Sequence, residues 1–327
     1  MNRSPLARAL AVGGVLALFL TACSEGGRQQ PDDAAPAAAA AEKTMTAAMV
    51  THAAPGDTFW DIVRKGAEDA AERYGVDLQY SGDPDAARQS QLAQQAVDQA
   101  TDGMALTFAK GEALQGVTQN AVDAGIPVVG FNGGMEDALE YGAFTFVGQD
   151  DGLAGEALGD LLTDEGFTHP ICVIQEQGHV GLEARCAGVK KKVPDAEVLY
   201  VQGTDMTQVS STVTAKLQST ADADVIIGLG APFTLTILDA VEETGSEAKV
   251  ASFDLNADLA QAVADGDVLA TVDQQPYLQG YIAIESLWLQ HNGGFVLGGG
   301  QPVYTGPTIV DQDNAADVLT GAKDGIR

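Results

Sequence analysis

Basic residues are scarce in this chain: 17 Lys and Arg stand against 46 Asp and Glu in 327 residues, a formal net charge of −29. Such a surface repels the phosphates from which nucleic-acid binders draw most of their affinity. It also excludes docking on anionic lipid through a basic patch. Aromatic residues make up only 6%, and there are three cysteines. Beyond residue 43 no stretch approaches 18 apolar residues, so nothing there reads as a membrane span. Catalytic signatures are missing too. There is no GxxxxGK[ST] and no GxSxG, and Gly228-Leu-Gly230-Ala-Pro-Phe233 lacks the third glycine of a dinucleotide fingerprint. Asp311-Gln-Asp313-Asn-Ala-Ala lacks the glycine of an EF-hand loop. The four histidines, His52, His169, His179 and His291, show no metal-ligand spacing. Among 46 acidic residues a glycosidase-like carboxylate pair can always be drawn, so drawing one carries no information. The expectation is a protein without catalysis, metal or cofactor.

What is present is a foldable composition, 45% hydrophobic and 19% charged, well away from the disordered regime. The length suggests two domains with ordinary cores, and 38 glycines suit an α/β protein with many tight turns. The N-terminus reads separately. Arg3 and Arg8 precede an apolar run from Leu10 to Leu20, closed by Leu20-Thr21-Ala22-Cys23. This is a secretory signal, too short and too poorly flanked to span a membrane. Its last four residues resemble the bacterial lipobox, in which the cysteine is lipidated and becomes the new N-terminus. Residues 1–22 are therefore expected to be a lipoprotein signal peptide. Residues 23–43, Ala/Pro-rich and without apolar periodicity, are expected to be Cys23 and a flexible tether of roughly 25 Å reach. The expected location is the outer face of the cytoplasmic membrane, with the lipid anchor as the only membrane contact.

From Met45 short apolar runs alternate with amphipathic segments. Strands are expected at 45–51, 76–80, 103–108, 127–131 and 144–147, then at 171–175, 197–202, 224–229, 249–253 and 269–272. Helices are expected at 58–74, 86–100, 111–124, 152–165, 181–191, 206–220, 232–244 and 256–264, with a further one at 277–291 and a Gly/Pro-rich tail from 293 to 307. Strands alternating with helices of this length indicate parallel sheets covered on both faces, here as two similar series. In such sheets ligands bind beyond the carboxyl ends of the strands. The loops after the strands carry Asp57, Phe59 and Trp60; Lys110; Asn132; Gln175 and Glu176, followed by Arg185; Phe233; Asp254; and Gln274. Thr58 with Asp61 has the spacing of a capping box. Two adjacent aromatics at a helix start point about 100° apart, so one of them can face a cleft, where an aromatic face suits the C–H face of a sugar. The planar polar groups of Asn, Asp, Gln and Arg can make paired hydrogen bonds to adjacent hydroxyls. For any single one, turn-capping is the commoner role; their recurrence around one presumed cleft is what informs.

The chain resembles the periplasmic ribose/galactose-type sugar-binding proteins, the substrate receptors of ABC importers. The resemblance is carried by Asp57-Thr-Phe-Trp-Asp, Gly125-Ile-Pro-Val-Val-Gly-Phe-Asn132, Arg185-Cys-Ala-Gly188, Ser252-Phe-Asp254 and Ala270-Thr-Val-Asp-Gln274-Gln-Pro-Tyr-Leu-Gln-Gly280, in matching order from about Met45 to about Ile309. It implies an α/β fold of two Rossmann-like lobes with parallel sheets joined by a three-strand hinge, the type I periplasmic binding protein fold. The lobes would be 44–149 with 276–304 and 150–275 with 305–327, the chain crossing near 148–151, 273–276 and 303–307. The resemblance makes Phe59 and Trp60 flank a sugar ring, and assigns its hydroxyls and ring oxygen to Asp57, Asn132, Arg185, Asp254 and Gln274. Lys110 and Phe233 complete the expected ligand-binding set. The family often has Asp-Arg where this chain has Asn132-Gly133, and Asn-Asp where it has Gly230-Ala231. Both departures remove hydrogen-bonding groups and argue against ribose itself; Lys110, Gln175, Glu176 and His179 are candidates to refill the space. Cys172 and Cys186, in an exported chain, are expected to form a disulfide. The implied function is a monomeric receptor that closes on a small neutral sugar or polyol and delivers it to an ABC permease and its ATPase. The alternative is a receptor of the same fold that signals its closed state, on a sugar or furanose signal, to a sensor protein.

Overall fold

The computed structural model describes residues 44–327; the signal, Cys23 and the tether lie outside the described residues. Among the described residues no helix is long and apolar enough to cross a membrane. The first series runs β1 (Met45–Thr51), α1 (Thr58–Tyr74), β2 (Val76–Gly82), α2 (Ala86–Asp98), β3 (Gly103–Leu106), α3 (Gln115–Asp123), β4 (Val128–Asn132), α4 (Met135–Glu140) and β5 (Thr145–Gly148). The second runs α5 (Asp151–Asp164), β6 (Pro170–Ile174), α6 (Val180–Lys192), β7 (Glu197–Tyr200), α7 (Met206–Ser219), β8 (Val225–Gly228), α8 (Ala231–Thr244), β9 (Lys249–Phe253), α9 (Ala257–Asp265) and β10 (Ala270–Asp273). Then follow α10 (Pro276–Gly293), β11 (Val303–Tyr304), β12 (Thr308–Asp311) and α11 (Ala315–Lys323).

The strands form two six-stranded sheets, ordered β11-β5-β4-β3-β1-β2 and β12-β10-β9-β8-β6-β7. All pairings are parallel except β10 with β12. Central strands such as β3, β4, β6 and β8 are buried along their whole length, as helices on both faces require. The chain passes between the sheets three times: from β5 to α5, from β10 to α10, and from β11 to β12. Consequently α10, although it follows the second series, packs on α1 and the first sheet.

Local chemistry sets the elements that matter for the site. Helix α1 buries Phe59, Trp60, Ile62, Val63, Gly66, Ala67, Ala70 and Ala71, the stripe an amphipathic helix turns to its sheet, and it ends at Gly75 in the left-handed conformation. Its N-cap is Asp57, whose Oδ1 accepts from the Phe59 backbone N–H at 3.1 Å. The Thr58–Asp61 capping box is thereby corrected: a carboxylate one residue earlier takes the orphan N–H, and Thr58 is already helical. Helices α5 and α6 cross at backbone contact. A Cβ on Gly155 would lie 2.0 Å from the Arg185 carbonyl oxygen, and one on Gly188 would lie 2.3 Å from that of Gly152. This close approach seats Arg185 against the crossing segment.

The tail differs most from expectation. Residues 293–307 carry β11, and β12 and α11 follow them, elements whose two to nine residues show too little periodicity to stand out next to Gly298, Gly299 and Gly300. Cys172 on β6 and Cys186 on α6 are joined by a disulfide, with Cα atoms 5.8 Å apart. It closes a short loop between the strand and the helix bearing Arg185. Replacing both cysteines with alanine is expected to cost about 3 kcal/mol in the chain-entropy account. In calorimetry that corresponds to a fall in Tm of roughly 6–12 °C; an unchanged Tm would show that the bridge does not constrain the unfolded chain.

Candidate functional site

Between the carboxyl ends of the two sheets lies a cleft of about 670 Å³, within the usual range for small-molecule sites. All nine residues singled out from the sequence line it: Asp57, Phe59, Trp60, Lys110, Asn132, Arg185, Phe233, Asp254 and Gln274. Phe59 and Trp60 are both buried and both reach the cleft, their rings edge-to-face at 5.1 Å. Adjacency on the helix suggested one aromatic at the cleft; both line it.

Asn132 ends β4 and Asp254 follows β9, and each is left-handed, with φ of 66° and 67°. Asn and Asp are the non-glycine residues that tolerate this conformation best, and each turns its side chain into the cleft from its own sheet. Gln274, on the β10–α10 crossing, connects them. Its Oε1 accepts from Asn132 Nδ2 at 3.3 Å, and its Nε2 donates to Asp254 Oδ1 at 2.6 Å. Gln279 of α10 reinforces this chain, accepting from Asn132 Nδ2 at 3.0 Å and donating to Gln274 Oε1 at 2.8 Å.

Arg185 is buried. Its Nε donates to Asp151 Oδ1 at 2.8 Å, and its guanidinium carbon lies 5.0 Å from the Phe253 ring centre. Nη1 stands 3.6 Å from Asp254 Oδ2, an ion pair too long to be a hydrogen bond. Burial works against the guanidinium charge, but Asp151 and Asp254 outweigh it and raise its pKa. Burial pushes Asp254 up to about 6, against the lowering influence of Arg185 and Gln274. Asp57 is likewise raised by burial, partly offset by the Phe59 N–H. Asp151 was not anticipated from the sequence, because it sits on the crossing after β5 rather than in a strand-end loop of its own lobe.

The rims of the cleft touch. Lys110 Nζ pairs with Glu176 Oε1 at 2.7 Å, the Val180 N–H donates to the Ala109 carbonyl at 3.0 Å, and His52 Nε2 lies 3.1 Å from His179 Nε2. Lys110 therefore spends its charge on the opposite rim. His179 is the N-cap of α6, its Nδ1 accepting from the Gly181 and Leu182 N–H groups at 3.1 and 3.3 Å. With Nδ1 an acceptor, the neutral ring carries its proton on Nε2 and donates it to His52 Nε2; His52 Nδ1 then donates to Thr107 Oγ1 at 2.8 Å. His52, His179 and Glu176 offer ligand atoms within 4.8 Å of one another. Yet a metal would need the Nε2 lone pair of His179 while its Nδ1 is held as an acceptor, the reverse of the N–H donation that supports ligating histidines. The arrangement is a hydrogen-bond relay. Both residues lie in strand-end loops, but 127 positions apart no spacing rule joins them.

Around the cleft stand five carboxylates, Asp57, Asp85, Asp151, Glu176 and Asp254, against Lys110 and Arg185. With the cations already paired to carboxylates, the site disfavours an anion and suits a neutral polyhydroxyl compound.

A family model described as a periplasmic binding protein domain matches residues 47–294. The chain belongs to the periplasmic binding protein family. These are extracytoplasmic solute receptors, not enzymes, and the two-sheet α/β architecture is theirs. A carbohydrate transporter from Acidothermus cellulolyticus 11B, solved in complex with myo-inositol, is 45% identical. It superposes with a TM-score of 0.85 over 86% of this chain and 99% of its own. The ribose import binding protein of Bacillus subtilis is 24% identical over 287 residues, covering 85% of this chain and 92% of the relative. An ABC transporter periplasmic-binding protein of Escherichia coli is 27% identical over 249 residues, 71% of this chain and 75% of the relative.

Proposed function

We propose that this protein is the sugar- or polyol-binding receptor of an ABC importer, held to the membrane by a lipid on Cys23, and that its ligand is a neutral cyclic polyol of the inositol type. The observation that carries the ligand class is the pairing of Arg185 and Asp254 beside Phe59 and Trp60. A charged donor and a charged acceptor side by side match the donor–acceptor pattern of vicinal hydroxyls, and the aromatic rings offer an apolar wall for a C–H face. The carboxylate excess argues against phosphorylated sugars. The 45% identity to a protein solved with myo-inositol favours a cyclitol among neutral candidates. Asn132-Gly133 and Gly230-Ala231, where the family often has larger polar pairs, argue in the same direction and away from ribose.

The proposed mechanism is hinge closure. Ligand enters an open cleft, and contacts from both lobes favour the closed form, in which the rims meet through Lys110–Glu176 and His52–His179. The permease then reads the relative position of the two lobe surfaces. Binding of this kind is expected near micromolar Kd, about 8 kcal/mol. In a thermal-shift screen of the purified protein, myo-inositol is expected to raise Tm. At 100 Kd the added stability is about 2.7 kcal/mol, while sugar phosphates give no shift. A panel of sugars and cyclitols that leaves Tm unmoved would dispose of the proposal.

A further inference from the structure

We propose that the side-chain oxygen of Gln175 accepts a hydrogen bond from one hydroxyl of the bound polyol and thereby selects which polyol fits. This rests on the proposed function. Among the described residues four buried side-chain atoms lack a hydrogen-bond partner in the protein: Gln149 Oε1, Gln175 Oε1, Glu176 Oε1 and Arg185 Nη1. Glu176 Oε1 is held by the Lys110 ion pair, and Gln149 belongs to the β5–α5 crossing. The remaining two, an acceptor and a donor, both belong to residues that line the cleft. Buried polar atoms are normally satisfied, so an unsatisfied pair on residues that line one cavity points to a ligand that supplies the complement. Arg185 answers to a hydroxyl oxygen, and Gln175 to a hydroxyl hydrogen.

The orientation of the Gln175 amide follows from its surroundings. Its Nε2 donates to the Leu229 carbonyl at 3.3 Å, and a carbonyl can only accept, so nitrogen must face Leu229 and oxygen must face away. The backbone is held as well: the Gly203 N–H donates to the Gln175 carbonyl at 3.0 Å. The space for this amide exists because residue 230 has no side chain. A Cβ at Gly230 would already stand 3.6 Å from Gln175 Nε2 and 3.2 Å from the Phe233 ring. A larger polar residue there would compete with Gln175 for the same volume. Gly230 and Gln175 thus act as one substitution in two parts, the first clearing room and the second supplying a fixed acceptor.

The test compares wild type and Gln175→Leu, titrated calorimetrically with myo-inositol and with each of its monodeoxy analogues. Leucine keeps most of the volume and removes the acceptor. The variant is expected to bind myo-inositol about tenfold or more weakly, while its Tm without ligand stays within a few degrees of wild type. Wild type is expected to reject one deoxy analogue in particular, and Gln175→Leu to lose that discrimination. Equal affinities in the two proteins, or the same deoxy penalties in both, overturn the assignment. A drop in unliganded Tm with unchanged discrimination would make Gln175 a packing residue and overturn it too. Failure of wild type itself to bind myo-inositol is a different result: it removes the proposed ligand, and the Gln175 assignment with it.

Discussion

Replacing Arg185 with alanine is expected to weaken ligand binding by about a hundredfold, because a hydrogen bond to a charged group contributes about 1.5–3 kcal/mol. The Arg185 Nη1 is a buried donor in the cleft that makes no hydrogen bond within the protein, only the 3.6 Å ion pair with Asp254. The same change strands Asp151 and Asp254 as buried carboxylates with no cation, a loss that typically costs about 3–5 kcal/mol. Tm should therefore fall as well. Asp254→Asn separates the two effects. It keeps the shape, leaves Arg185 paired with Asp151 at 2.8 Å, and removes the charged acceptor from the cleft. Affinity is expected to drop in this variant with little loss of Tm. If Arg185→Ala remains folded and binds with wild-type affinity in calorimetry, the cleft assignment is wrong.

Acidification below about pH 6.5 is expected to weaken binding, through the two histidines that meet across the cleft. With the rims in contact, His52 is held well below the ordinary histidine range, first by burial and then by His179 and Lys110. His179 is lowered to about 3, by burial and then chiefly by Arg185. In the proposed open form both rings regain water and titrate near about 6.5. The closed form holds fewer protons, so below that value closure must expel them, and affinity falls as pH falls. Two such groups give about a tenfold loss between pH 7.5 and 6. Asp254 acts with the opposite sign. Raised to about 6 when closed and near about 3.9 when solvated, it takes up a proton on closing, so its contribution grows as pH falls from 6 to 4. Asp57, also raised, works in the same sense. The loss is therefore expected to steepen as pH falls through about 6.5, and below about pH 6 proton uptake by Asp254 and Asp57 cancels part of the histidine effect. His179→Asn keeps an N-cap for α6 and should roughly halve the steepness. A flat affinity from pH 7.5 to 6, with no proton released on binding in buffers of different ionisation enthalpy, would exclude the histidine latch.

The nine cleft residues were accessible to sequence reasoning because they follow strands, and the strand–helix alternation marks where strands end. Asn132 and Asp254 were recognisable as polar groups at strand ends. That both adopt positive φ and converge on Gln274 depends on how two sheets face each other. The short β11, β12 and α11 were missed since two to nine residues carry little periodicity. The cap at Asp57 was misplaced by one residue because Asp and Thr are both good N-caps, and only the backbone conformation chooses between them.

Composition and order alone determined that this is an acidic α/β chain without catalytic or cofactor signatures, because hydrophobic periodicity and residue chemistry are local properties. They also determined the ordered set of segments that marks its family. The tertiary structure decided what pairs with what: Asp151 with Arg185, His52 with His179, Lys110 with Glu176, and which atoms of Gln175 and Arg185 are left without a hydrogen bond from the protein. Those pairings join residues up to 127 positions apart, and only the meeting of two lobes brings them within a hydrogen bond's reach.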